Sequence, residues 1–203
     1  MIQAVVKTIT FEEFLAWYPD GKGRYELYEG IIIEMNPTGE HEEVAAFMNR
    51  KLNVEIDRLN LPYFIPRTYL VKPENANSGY QPDVLVLDKE ELPNEPLWKK
   101  SSTILHGKSV KLAVEVVSTN WRDDYLTKVR DYEEIGIPEY WIVDYLGLGG
   151  RRYIGSPKQP TLSIYQLVEG EYQVTQFRED EPIYSLVFPE LNLTAGQIFR
   201  AGE

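Results

Sequence analysis

A mixed α/β fold of the α+β kind is predicted by three features of the chain. Residues 81–87, 111–117 and 139–145 are short, almost unbroken apolar runs, as in strands covered on both faces. Between the last two lies a helix over about 123–135, closed by Gly136 and Pro138. Strand, helix and strand at this spacing form a right-handed crossover between parallel strands. Hairpins at 24–35 and 161–177 add antiparallel pairs, so the central sheet is mixed and flanked by helices.

Thr10 and Glu13 read as a capping box for a first helix, with Phe11, Phe14, Leu15 and Tyr18 on one face and Pro19-Asp20-Gly21 as its stop. The first hairpin turns at Glu29-Gly30. A long helix over about 40–59 follows, because Val44, Phe47, Met48, Leu52, Ile56 and Leu59 recur at helical spacing. Residues 63–71 form a strand in which Pro66 implies an edge or a bulge. Residues 72–80 are a polar loop, and 88–107 a long polar connection of the kind that makes a mobile flap. The 146–160 loop is rich in Gly and Arg; the second hairpin turns at Glu169-Gly170. Residues 183–187 are expected to add a strand, and Thr194 to cap a short terminal helix containing Ile198 and Phe199.

The 203 residues suit one domain, 1–203, with a sizeable core. The absence of cysteine excludes disulfides, thiolate zinc sites and cysteine nucleophiles. No apolar run approaches a membrane span and the N-terminus lacks a secretory signal, so a cytoplasmic protein is expected. The net charge of −11 argues against broad attraction to nucleic acid while suiting a protein that gathers divalent cations.

Chemistry enters with two acids inside apolar surroundings. Glu115 sits in the middle of one run and Asp83 follows Pro82 at the head of another. A buried carboxylate must be protonated, hydrogen-bonded, paired or bound to a metal. Two acids on neighbouring strands would repel by about 4 kcal/mol at ~4 Å in an effective dielectric near 20. A cation between them relieves this, and hard oxygen donors favour magnesium or manganese. Lys128, on one helical face with Asp124 and Asp131, is placed to reach back toward Glu115. Each residue also has a plainer reading: Asp83 as a turn cap, Glu115 in a structural ion pair, Lys128 as a solvated ion-pair residue, His41 as local structure at a helix start. Tyr140 and Trp141 read as core, and Arg151 and Arg152 as solvent-facing.

The ordered segments RYELYEG, MNPTGEHEEV, QPDVLVLD, AVEVVST and DYLTKVRDYEEIGIPEYWIVD span about residues 24–145. Together they resemble the PD-(D/E)XK superfamily, the fold of many restriction endonucleases, and within it the Uma-two family of small bacterial proteins. The resemblance implies a restriction-endonuclease-like core of helix, three mainly antiparallel strands, helix and a final strand parallel to its neighbour. It implies a magnesium site from Asp83, Glu115 and the backbone carbonyl of Val116, and phosphodiester hydrolysis. Val117 stands at the motif lysine position, so the lysine role passes to Lys128. Glu26 and His41 fall in matching segments as secondary groups. A homodimer is expected from the habits of the fold.

Two functions compete. One is a magnesium- or manganese-dependent nuclease acting on DNA, with Lys99, Lys100, Lys108, Lys111, Arg151 and Arg152 as candidate basic contacts. The other is a non-catalytic binding or assembly module that keeps the nuclease-like core, favoured by the acidic charge and the displaced lysine. A carboxylate glycosidase fits less well, because a crossover unit with a nearby lysine suits phosphate chemistry better.

Overall fold

A six-stranded sheet organises the molecule, in the order β10 (Glu171–Phe177), β9 (Thr161–Val168), β8 (Glu139–Asp144), β7 (Val110–Val116), β5 (Val84–Asp88), β3 (Tyr63–Phe64). The structure, a computed structural model, describes residues 8–19, 23–74 and 77–203; Asp20 and Gly21 of the expected helix stop lie outside the described residues. Of the sheet strands, only β7 and β8 run parallel. The crossover between them is helical, a π-helical turn at Asp123–Lys128 followed by α4 (Val129–Glu134).

The two faces of the sheet are read directly from strand alternation. Val84, Val86, Leu112, Val114, Trp141, Val143, Leu162 and Ile164 face α2 (Gly39–Leu59) through Val44, Met48, Leu52 and Ile56. Leu85, Leu87, Ala113, Tyr140, Ile142 and Tyr165 face the crossover through Tyr125 and Tyr132. Both faces are covered, and this is why the central runs are apolar without alternation.

The N-terminal elements match their expectation. Thr10 and Glu13 form both bonds of the capping box at α1 (Phe11–Trp17). The hairpin pairs β1 (Arg24–Tyr28) with β2 (Ile31–Met35), and its turn needs positive φ at Glu29 (47°) and Gly30 (82°). Thr38 caps α2 by accepting from the His41 N–H, which fixes His41 at the helix start.

Three expectations need correction. Residues 63–71 form two short strands instead of one, β3 and β4 (Leu70–Val71), because Pro66 interrupts the ladder; β3 is the sheet edge. The 88–107 connection is not an open flap. It folds down through α3 (Trp98–Ser101) and β6 (Thr103–Ile104), and β6 pairs with β4. The buried Glu95 carboxylate accepts from the Leu105 and His106 N–H groups at 2.9 and 3.1 Å. Gly107 lies so close to the end of α4 that a Cβ would stand 2.2 Å from the Ile135 carbonyl oxygen. Residues 183–187 form no strand: Ser185 and the Leu186 N–H bond the buried Glu139 carboxylate at 2.6 and 2.7 Å instead of a ladder. The remaining helices are α5 (Arg151–Ile154), inside the 146–160 loop, and α6 (Ala195–Phe199), capped by Thr194 and Gln197. Among the described residues, no helix is long and apolar enough to cross a membrane.

Candidate active site

Strand β1 lies across the open ends of β5 and β7. Its alternate residues Arg24, Glu26 and Tyr28 all reach toward them and toward the crossover helix. Arg24 meets Asp83 at 3.3 Å, Glu26 meets Lys128 at 3.2 Å, and the Tyr28 hydroxyl meets Thr127 at 3.4 Å. The Gln81 N–H donates to Glu26 at 2.8 Å, which holds the strand down.

Asp83 precedes β5 and turns its carboxylate toward the end of β7. Oδ2 accepts from the Val116 N–H at 2.8 Å and lies 3.3 Å from His41 Nε2. The same ring nitrogen is 2.9 Å from the Val116 carbonyl oxygen. His41 Nδ1 is buried without a hydrogen-bond partner, so all of the ring's polar contacts fall on Nε2. Burial opposes a charged Asp83, yet the His41 hydrogen bond, the His41 and Arg24 charges and the Val116 N–H together hold its pKa below the ordinary value. His41 moves the other way: burial opposes its protonation, and Asp83 outweighs that and raises it.

Glu115 projects to the opposite, crossover-facing side of β7. Its Oε1 stands 3.0 Å from Lys128 Nζ and accepts from the Tyr132 hydroxyl at 3.2 Å. Lys128 also lies 3.5 Å from Asp124. One ammonium therefore serves three carboxylates, all buried. Burial raises Glu115 well above its ordinary pKa against the pull of Lys128, with Asp83, Asp124 and Glu26 adding to the rise. Asp124 is pushed up to about 7, by burial first, again with Lys128 opposing. Lys128 itself is raised, because Glu115, Glu26 and Asp124 outweigh its burial. The ammonium stays charged and the negative surplus is met by a proton on an acid, or by a further cation.

The sequence-predicted residues thus gather in two adjoining groups. Asp83, His41 and the Val116 carbonyl form one; Glu115, Lys128 and Glu26 form the other. Asp83 raises the pKa of Glu115, so the groups share one electrostatic neighbourhood, but no hydrogen bond or ion pair joins the two acids among the described residues. Arg24 and Tyr132 were not anticipated. Arg24 stands two residues before Glu26, and strand alternation alone places both on one face. Asp124, placed on one face with Lys128, is buried with it. Asp131, expected on the same face, instead accepts from the Tyr80 hydroxyl and pairs with Arg130.

Four expected basic contacts lie elsewhere. Lys108 and Lys111 stand at the opposite end of β7 from Glu115, paired with Glu91 and Asp88. Lys99 and Lys100 end α3.

Two clefts meet at Asp83 and Arg24. One, of about 280 Å³, runs past His41, Asn36 and Ser118 to Asn120 and Leu148. The other, of about 480 Å³, is bordered by Asn49, Arg67 and Tyr69. Glu115 and Lys128 line neither; they lie beneath the floor, each 3% exposed.

Residues 11–196 match the model of a family described as "Uma2: Putative restriction endonuclease". The chain belongs to the Uma2 family. A crystal structure described as that of "a putative nuclease" from Anabaena variabilis is similar to it, with a TM-score of 0.71 over 96% of this chain and 99% of that one, at 19% identity. At that identity the likeness speaks for the fold: the Uma2 chain has the restriction-endonuclease-like core its ordered segments implied. No curated protein matches this chain.

The donor set suits a hard divalent ion. His41 Nε2 lies 2.9 Å from the Val116 carbonyl oxygen and 3.3 Å from Asp83 Oδ2, so both oxygens border the position where an ion would sit. Among the described residues no three His, Asp or Glu side chains form a ready cage. Such a site leaves most positions to water and substrate, as magnesium prefers.

Proposed function

We propose that this Uma2 protein is a metal-dependent phosphodiesterase that cleaves DNA. What carries the reading is the convergence of Asp83, His41 and the Val116 carbonyl beside a buried Glu115–Lys128 pair. Asp83 and Val116 would hold magnesium or manganese, with His41 an added nitrogen donor and Glu115, on the other side of β7, adding negative charge from beneath. When bound, the ion supplies a water of lowered pKa and stabilises charge on the phosphate.

The protein's own groups do the remaining work. Lys128 keeps Glu115 oriented and supplies the positive charge that Val117 cannot supply from the strand. Glu26 and Asp124 hold the ammonium in place. Arg24, half-buried between the two clefts, sits where it can grip a phosphate oxygen next to Asp83. Tyr132 fixes the Glu115 carboxylate from behind.

Cleavage of supercoiled plasmid and labelled oligonucleotides with magnesium or manganese tests the reading. Wild type cuts and Glu115→Gln loses activity by about 10³-fold, a loss of the size seen when charge stabilisation in a transition state is removed. Retained cleavage by that variant removes Glu115 from the mechanism.

The burial of Glu115 and Lys128 favours a second reading, a binding or assembly module in which these residues are structural. It predicts no metal-dependent rise in melting temperature, whereas an ion that binds only the folded chain must raise it.

A further inference from the structure

The loop after β7 and helix α5 build a surface that the proposed chemistry does not use. Arg122 lies over the Trp121 ring, its guanidinium carbon 4.6 Å from the ring centroid. Trp121 and Tyr153 are 6.1 Å apart, and Tyr153 stacks on Tyr125 at 4.9 Å. Arg152 stands 5.8 Å from the Tyr153 ring centre. Gly150 seals the arrangement: a Cβ there would meet the indole at 2.8 Å, so only glycine lets α5 start against Trp121.

This surface gathers three arginines around its aromatic rings. Arg24, Arg58, Arg130, Arg200, Lys108, Lys111 and Lys128 are all paired with acids. Arg122, Arg151 and Arg152 are exposed and pair with none among the described residues, although the chain carries a net charge of −11. Asp123, next to Arg122 in sequence, forms no ion pair with it among the described residues. Three free guanidinium groups around two partly exposed aromatic rings match the needs of unstacked bases and their phosphates.

The location is equally specific. The cleft lined by Asp83 and His41 is also lined by Asn120 and Leu148, which precede Trp121 and α5 in the chain. These rings therefore adjoin the cleft wall shared by Asn120 and Leu148.

We propose that Trp121, Arg122, Arg151, Arg152 and Tyr153 form a docking surface for single-stranded DNA flanking the cleavage site. This rests on the phosphodiesterase reading for its substrate but concerns binding alone. A duplex hides its base faces from aromatic rings, so single-stranded or locally opened DNA is the form that fits.

The test is fluorescence anisotropy with a labelled strand of about 12 nucleotides, within the site size of such grooves, and the matching duplex, in EDTA so that nothing is cut. The wild type should bind the single strand more tightly than the duplex. The triple variant Arg122→Ala/Arg151→Ala/Arg152→Ala should bind it about 10- to 100-fold more weakly, with the slope of log K against log salt reduced by about 2, as expected for three lost contacts at ~0.7 each. Its melting temperature should stay near wild type, because all three side chains are exposed. Trp121→Ala, as a second variant, should weaken strand binding while keeping the salt slope. Wild-type affinity and slope in the triple variant overturn the proposal, as does a preference for duplex. If wild type binds neither form, the docking surface and DNA as substrate both fall. If the strand binds through the arginines but no metal supports cleavage, the docking surface stands and the phosphodiesterase reading falls.

Discussion

Lys128 Nζ stands 3.0 Å from Glu115 Oε1, although the two residues belong to different elements, the crossover helix and the strand before it. The pair sets a lysine against the acidic strand although Val117 is the residue two positions after Glu115. The same ammonium also meets Glu26 and Asp124. Removing it strands three acids in the interior. Lys128→Met should therefore destabilise the protein by about 3–5 kcal/mol at neutral pH, the cost of breaking a buried pair. The loss should shrink at pH 5, where the acids take protons. Denaturant unfolding at both pH values measures it, and an equal loss at both contradicts the shared-ammonium arrangement.

The same cluster sets a pH dependence. An Asp is ordinarily near 3.8, and in the fold Asp124 is pushed up to about 7, chiefly by burial. A raised carboxyl favours folding when protonated, so its contribution is complete below about pH 4 and is lost as pH rises through about 7. Glu115 and His41, also raised, act in the same direction. Asp83 is lowered and Lys128 raised, so their contributions change only in stronger acid and stronger base. Metal-free wild type should melt at a higher temperature at pH 5 than at pH 8, and Asp124→Asn should flatten the difference. A steeper difference in the variant counts against the assignment.

Arg24 competes with any cation at Asp83, since its guanidinium holds Oδ1 at 3.3 Å. Arg24→Gln should lower the magnesium concentration that half-saturates the thermal shift by several-fold. The fold should lose only about 1 kcal/mol, because the arginine is partly exposed and Asp83 keeps His41 and the Val116 N–H. An unchanged midpoint separates Arg24 from the ion site.

Much of this site was legible in the chain, and the reasons are particular. Glu115 between valines had to have a partner, because a mid-strand acid in a doubly covered strand has nowhere else to go. Lys128 could be placed from helical spacing, and its four-residue step from Asp124 survives the π-helical turn while Asp131 turns to Tyr80. Asp83 was identified, but its direction was not: it lies just outside β5 and follows no strand alternation. The hairpin was legible as a hairpin while its role as the cover over Asp83 and Lys128 was not, because that depends on contacts between segments more than 50 residues apart, as in Arg24 with Asp83. The 88–107 connection looked open because its anchors, Glu95 and Gly107, make contacts that no local pattern announces.

The most direct test is anomalous scattering from a crystal of the protein soaked in manganese. The account places a manganese peak within about 2.2 Å of the Asp83 carboxylate and the Val116 carbonyl oxygen, with His41 Nε2 at ligand distance and the peak lost in Asp83→Asn. A well-ordered crystal at millimolar manganese with no peak between Asp83 and Val116, or with the ion held only by surface carboxylates elsewhere, would contradict it.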